Sequence, residues 1–237
     1  TLTQTLARFA LDRATTDGRL TPAADGAAKV LLLDALACAL AGARSAGVKP
    51  VVEQMAEWGG RGEAGVLFHR LALPAPSAAF ANSVMIHAED FDDVYIPGIL
   101  HLSSVIVPVV LASAELGRAS GMDVLRALTV GVEVAARVER PGRDHRRGQG
   151  FLPTSLAGSF GAVAASSRLL GMDAERCTQA MGINYAQLAG NRQALYDSTL
   201  SKRMQPGFAA RSAMWSTALA ARGLTGPHRA LEGEAGY

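Results

Sequence analysis

The sequence predicts an all-α protein, a large bundle of helices with small residues at the contacts between them. Three observations carry this. Apolar residues recur at helical spacing along most of the chain, strong strand candidates are lacking, and alanine- and glycine-rich stretches suit close helix–helix approach. At 237 residues the chain is one large domain or two small ones, and it can bury a substantial core without metal or disulfide staples. Hydrophobic residues at 49%, charged residues at 19% and a mean hydropathy of +0.16 exclude a disordered chain.

Leu2, Leu6, Phe9, Ala10 and Arg13 fall at helical spacing, which predicts a first helix over residues 3–14. Thr21 followed by Pro22 is a start signal, an N-cap hydroxyl before a proline at the first helical position. The helix it opens carries Val30, Leu31, Leu33, Leu36, Ala37 and Leu40 and should stop near Gly42; being apolar on most sides, it should sit centrally. Pro50 opens a shorter helix ended by Gly59-Gly60, and residues 65–68 read as a short strand or an extended connector. Pro76-Ser77 begins a helix running to His87. The β-branched run from Val105 favours a strand, but its Ala-Ser-Ala-Glu continuation favours a helix kinked at Pro108; a lone strand has no partner, so helix prevails. Residues 123–140 form a further amphipathic helix, and 156–170 a small-residue helix stopped by Gly171. Residues 174–182 and 206–222 complete the set.

Charge and motifs exclude several function classes. Lysine and arginine exceed aspartate and glutamate by 23 − 21 = +2, and aromatics are 5%, a poor composition for holding nucleic acid. The longest charge-free stretches are broken by Pro108 and Pro153, the N-terminus lacks a signal peptide's pattern, and a cytoplasmic protein with no membrane partner is the expectation. Cys38 and Cys177 are far apart in apolar surroundings and read as two reduced core thiols, with no zinc-site spacing. Arg137, Arg140, Arg143, Arg146 and Arg147 with His145 make a basic segment between two helices, read as a solvated loop or a subunit contact. Phosphate-loop, dinucleotide and nucleophile-elbow motifs are missing, which removes most support for nucleotide chemistry and serine hydrolysis.

Two polar constellations remain. His87-Ala-Glu-Asp-Phe-Asp-Asp93 with His101-Leu-Ser-Ser104 places four carboxylates and two imidazoles within fifteen residues. Such a set suits proton transfer, and the loop 94–100 with Pro97-Gly98 could fold His101 back over Asp90. The bland alternative is a capped loop in which an Asp accepts backbone N–H bonds. A metal site is a third option, disfavoured because the carboxylates crowd one turn with no His-x3-His partner. The second constellation is Gly190-Asn191-Arg192-Gln193 with Ser201-Lys202-Arg203-Met204-Gln205-Pro206. Its cations lie ahead of a helix N-terminus that would hold a carboxylate or phosphate, or are simply basic residues of a surface loop. Thr154 or Ser155, after Gly150-Phe-Leu-Pro, would cap the small-residue helix.

In this order, His87–Asp93, His101–Ser104, Gly150–Ser155, Gly190–Gln193 and Lys202–Arg211 resemble the MmgE/PrpD family, and the likeness extends through Leu231–Gly236. The resemblance implies a large helical domain of that type, acid/base chemistry without cofactor or metal on small di- or tricarboxylic acids, and homodimers. It carries catalytic positions onto Asp90, His101 and Lys202: Asp90 orients or shares a proton with His101, the general acid/base, and Lys202 grips a substrate carboxylate. Arg203, Gln205, Asn191, Arg192 and Thr154 would complete substrate binding.

Departures from the family pattern matter. Decarboxylase-type members have a hydroxyl residue where this chain has Val94 and a histidine where it has Leu152, and their loop before His101 is one residue shorter. Losing an imidazole weakens dehydration and decarboxylation and leaves epimerisation or isomerisation, by proton abstraction beside a carboxylate, better placed. Members also continue into a smaller α+β domain that contributes to the pocket, whereas Tyr237 falls near that junction. The expectation is therefore a lyase or isomerase on a small carboxylate; the rival is a fragment, or a non-catalytic or split homologue serving as scaffold or regulatory subunit.

Overall fold

A computed structural model describes residues 1–12, 20–142 and 149–237. It is helical throughout apart from one two-residue antiparallel pair. In order the elements are α1 (Leu2–Leu11), α2 (Pro22–Gly42), α3 (Val48–Trp58), β1 (Ala64–Gly65), β2 (Ala72–Leu73), α4 (Ala75–Ile86), α5 (Ser103–Gly117), α6 (Gly121–Glu139), α7 (Pro153–Leu169), α8 (Ala174–Tyr185), α9 (Gln193–Tyr196) and α10 (Gln205–Ala221). The all-α expectation holds. Short 3-10 turns at Arg140–Gly142 and Leu200–Met204 complete it.

Local chemistry explains the starts. Thr1 and Ser120 each form a capping box, their hydroxyls accepting from the backbone N–H three residues on. Thr21 caps α2 ahead of Pro22, as its position predicts. The expected end of α1 at residue 14 is corrected: the helix stops at Leu11 and the backbone is already extended at Asp12, while Arg143, His145, Arg146 and Arg147 of the basic segment lie outside the described residues. Of that segment, Arg137 pairs with Glu133 and lies over the Phe9 ring, 5.4 Å from its centroid. Of residues 65–68, read as a short strand or a connector, Gly65 is strand, paired with Ala72 beside Ala64 and Leu73, and the rest is connector; the Asn82 carboxamide from α4 ties Gly65 and Leu67 down.

The centre is α7, buried from Pro153 to Ser167, against α6, α5 and α10. Small residues allow this: a Cβ on Gly161 would stand 2.3 Å from the Gly131 carbonyl oxygen of α6. The helix through Pro108 is real, and the bond that Pro108 cannot make is replaced. With no N–H at position 108 the Ser104 carbonyl loses its helical donor, and Ser83 Oγ of α4 donates to it at 2.5 Å. This pins α5 to α4, the two helices that bracket the polar cluster.

The central placement expected for α2 is corrected. It buries only its small face, Ala28, Ala35, Cys38, Ala39 and Gly42, against α4, where a Cβ on Gly42 would stand 2.1 Å from the Met85 carbonyl oxygen. Val30, Leu33 and Leu40 point outward at 67%, 68% and 60% exposure. A helix apolar all round does not declare which face packs, and here the close approach selected alanine and glycine over leucine. Cys38 and Cys177 are buried free thiols, and burial pushes them up to about 11 and about 12, with acidic neighbours adding to the rise. Among the described residues, no helix is long and apolar enough to cross a membrane.

Candidate active site

The polar cluster forms where three segments meet: the turn after α4, the start of α5, and the 3-10 turn before α10. The first segment leaves the helix at His87 and turns sharply at Asp90, whose φ of +60° is a left-handed conformation that aspartate tolerates better than most residues. The second is a short hairpin-like loop. Tyr95 and Leu100 bridge, Ile99 N–H donates to the Tyr95 carbonyl at 2.8 Å, and His101 is carried back to within 3.8 Å of Asp90, Nε2 to Oδ1. The third brings Lys202 from 112 residues away, and its ammonium donates to the Asp90 carboxylate and, at 2.8 Å, to His87 Nε2.

Further contacts fix the two histidines. His87, only 3% exposed, sets Nδ1 2.9 and 3.0 Å from the two carboxylate oxygens of Asp92, whose side chain is fully buried. His101 turns Nδ1 to the backbone carbonyl of the same Asp92 at 3.3 Å, which assigns its hydrogen to Nδ1 and leaves Nε2 toward Asp90. The rings meet edge to face, centroids 4.9 Å apart. Thr154, at the start of α7, accepts from the His101 backbone N–H at 3.1 Å.

The carboxylates divide their labour. Burial alone would raise Asp90, but the hydrogen bond and charge of Lys202, with His87 and His101 behind them, outweigh it and hold Asp90 below the usual carboxylate range. Asp93 is pushed up by burial, against the hydrogen bonds of Ser103 and helped by the charge of Asp92. It accepts the Ser103 N–H at 2.8 Å and so caps α5; for this residue the capped-loop reading is the correct one.

A cavity of about 270 Å³ opens over the cluster, lined by His87, Asp90, His101, Thr154, Arg192 and Lys202, with Ile99, Leu152 and Leu195 as apolar walls. A main-chain bridge between Phe151 and Asn191, with Arg192 N–H donating to the Gly150 carbonyl at 2.9 Å, brings Leu152 and Arg192 to it together. Asn191 and Gln205 hold each other instead: the Gln205 amide accepts from Asn191 N–H at 2.7 Å and donates to its carbonyl at 2.9 Å, beside a neighbouring hollow. Arg203 donates to the Ala46 carbonyl at 2.6 Å and lines an outer groove with Glu89 and Lys202. Asp90, His101, Lys202, Thr154 and Arg192 thus share the cavity, while Asn191, Gln205 and Arg203 stand beside it.

His87 and Asp92 belong to the cluster although the sequence reading carried only Asp90 and His101 forward from that stretch. Their spacing of five residues was the available signal, since it lets a turn close between them. One donor atom from each of His87, Asp90, Asp92 and His101 lies within 4.8 Å of the others, a set of metal-ligating type. The Lys202 ammonium stands among them, against Asp90 and His87, so the positive charge there is the chain's own.

Fold and site together define a helical domain whose pocket gathers groups able to bind an organic anion and exchange its protons. The chain belongs to the MmgE/PrpD family, matching its N-terminal domain over residues 4–237. It is similar to the cis-aconitate decarboxylase of Homo sapiens, 37% identical over 172 residues, covering 70% of this chain and 35% of the relative. It is 33% identical over 208 residues to the cis-aconitate decarboxylase-like protein oryM of Aspergillus oryzae, covering 84% and 43%. To the cis-aconitate decarboxylase of Aspergillus terreus it is 32% identical over 212 residues, covering 86% and 43%. The matches span less than half the length of these curated relatives.

Proposed function

We propose that this chain binds a small di- or tricarboxylic acid in the cavity and moves a proton at the carbon beside a carboxylate. The supporting observation is the convergence of Asp90, His101 and Lys202, from three separate segments, on one cavity of about 270 Å³. Lys202 and Arg192 supply positive charge for substrate carboxylates, against the single exposed carboxylate of Asp90. His101 is the base, its Nε2 open to the cavity while Nδ1 is held by the Asp92 carbonyl. Charge that develops on the substrate as the proton leaves falls beside the Lys202 ammonium, where it is stabilised most. Asp90 lies between the two: it accepts from Lys202, and its carboxylate, 3.8 Å from His101 Nε2, favours the imidazolium that forms when His101 takes the proton.

The similarity to cis-aconitate decarboxylases supports a tricarboxylate, cis-aconitate first among those to try. Leu152 supports proton exchange over bond cleavage, because the wall it forms offers no second acid/base group. The test follows deuterium from solvent into methylcitrate, aconitate, tartrate and aspartate-like acids by NMR, with decarboxylation monitored alongside. Exchange by the unaltered chain, reduced about 10²–10⁴-fold in His101→Ala, is the expected result. Turnover that survives His101→Ala within a few-fold overturns the assignment. Binding of the acids without any exchange would instead leave a scaffold that keeps the pocket and not the reaction.

A further inference from the structure

Resting on that use of Lys202 and deepening it, we propose that His87 is a positioning residue that aims the Lys202 ammonium into the cavity, with Asp92 fixing which of its nitrogens faces the lysine. An ionised carboxylate only accepts hydrogen bonds and an ammonium only donates them. Asp92 approaches Nδ1 of His87 with both oxygens, so that nitrogen carries the hydrogen. Nε2 of the neutral ring then offers a lone pair, 2.8 Å from Lys202 Nζ. The direction of the chain is set from end to end: Lys202 donates to His87, and His87 donates to Asp92. The opposite tautomer would press an N–H against the ammonium.

Lysine needs such help. Its charge sits at the end of a flexible four-carbon stem with three equivalent donors, and nothing in the side chain itself fixes a direction. Two acceptors, Asp90 and His87 Nε2, take two of the three N–H groups, and the third is left for the cavity that all three residues line. Asp90 is 54% exposed and lies on a turn, whereas His87 is buried and directly follows residues 78–86 of α4, which are buried without a break. The fixed half of the clamp is therefore the imidazole.

Asparagine and glutamine separate the two nitrogens. His87→Asn keeps an amide near the position of Nδ1 and ends there; His87→Gln reaches the position of Nε2. In the full chain at neutral pH, nitrogen NMR of selectively labelled histidine and lysine should show His87 protonated at Nδ1 and bare at Nε2, with Lys202 ammonium protons protected from solvent. His87→Asn should lose the protected lysine signal and bind cis-aconitate roughly 10- to 100-fold more weakly, the range one hydrogen bond to a charged group carries. His87→Gln should recover most of both. A contact that only braces the turn through Asp92 would rank the variants the other way, and that ranking overturns the proposal. So does a proton found on Nε2 in the unaltered chain, a reading that stands even where a variant misfolds. The spectra require no turnover, so failure of the proposed reaction and failure of this clamp are told apart.

Discussion

The backbone N–H of His101 donates to the hydroxyl of Thr154 at 3.1 Å, joining the entry to α5 with the entry to α7 across 53 residues of sequence. The site histidine is thus anchored at both its main chain and its ring, the latter through the Asp92 carbonyl. Thr154 is buried, so valine in its place keeps the shape and leaves the His101 N–H without its acceptor. Thr154→Val should cost about 1 kcal/mol, read as a melting temperature roughly 2–4 °C lower for a chain of this size, and Thr154→Ser should restore it. Equal melting of the valine and serine variants would show that the contact holds nothing.

The depressed Asp90 carboxyl makes a pH-dependent contribution to stability whose sign is fixed. A carboxyl lower in the folded state than in the unfolded one stabilises the fold above its ordinary value of about 4 and loses that contribution as pH falls through the folded value. Asn suits the left-handed backbone at this position, so Asp90→Asn removes the charge without forcing the turn. The melting difference between Asp90→Asn and the unaltered chain should be largest near neutrality and shrink on acidification below about pH 4. The raised Asp93 is common to both proteins and cancels in the difference. A difference that grows toward acid would contradict the pairing with Lys202.

The sequence told most where chemistry is local, and least where it depends on facing. Caps at Thr21 and stops at Gly59 and Gly171 could be read residue by residue, because each satisfies backbone groups within its own turn. The joining of Asp90 and His101 was visible in the Pro97-Gly98 loop between them. Lys202 stood out as a cation ahead of a helix N-terminus, but its place in one site with Asp90, 112 residues away, came only through likeness to a family, since no spacing rule reaches that far. The burial of His87 beside Asp92 was hidden because both lie in a stretch rich in charge, where exposure is the default reading. The outward face of α2 was hidden for the converse reason, a helix with no polar side to mark its solvent face.

Helix packing at the centre gives the sharpest test of the fold. Gly131 and Gly161 let α6 and α7 approach until a Cβ on Gly161 would lie 2.3 Å from the Gly131 carbonyl oxygen and 2.9 Å from Ala135 Cβ. The obstacles are a backbone carbonyl and a Cβ on the buried face of α6, so neither can swing aside as a long side chain would. Gly161→Ala gains about 1 kcal/mol of helix propensity but must part the two helices, an overpacking cost of about 1–3 kcal/mol and sometimes more. At this approach the second term wins, and a net loss of about 2 kcal/mol or more is expected in denaturant titration. Gly26 of α2 is the matched control, since a Cβ there would have no heavy atom within 4 Å. Gly26→Ala should therefore stabilise, by up to about 1 kcal/mol. The same substitution in two helices of one protein should move the denaturation midpoint in opposite directions; a neutral or stabilising Gly161→Ala would mean that α6 and α7 are not in contact at these glycines.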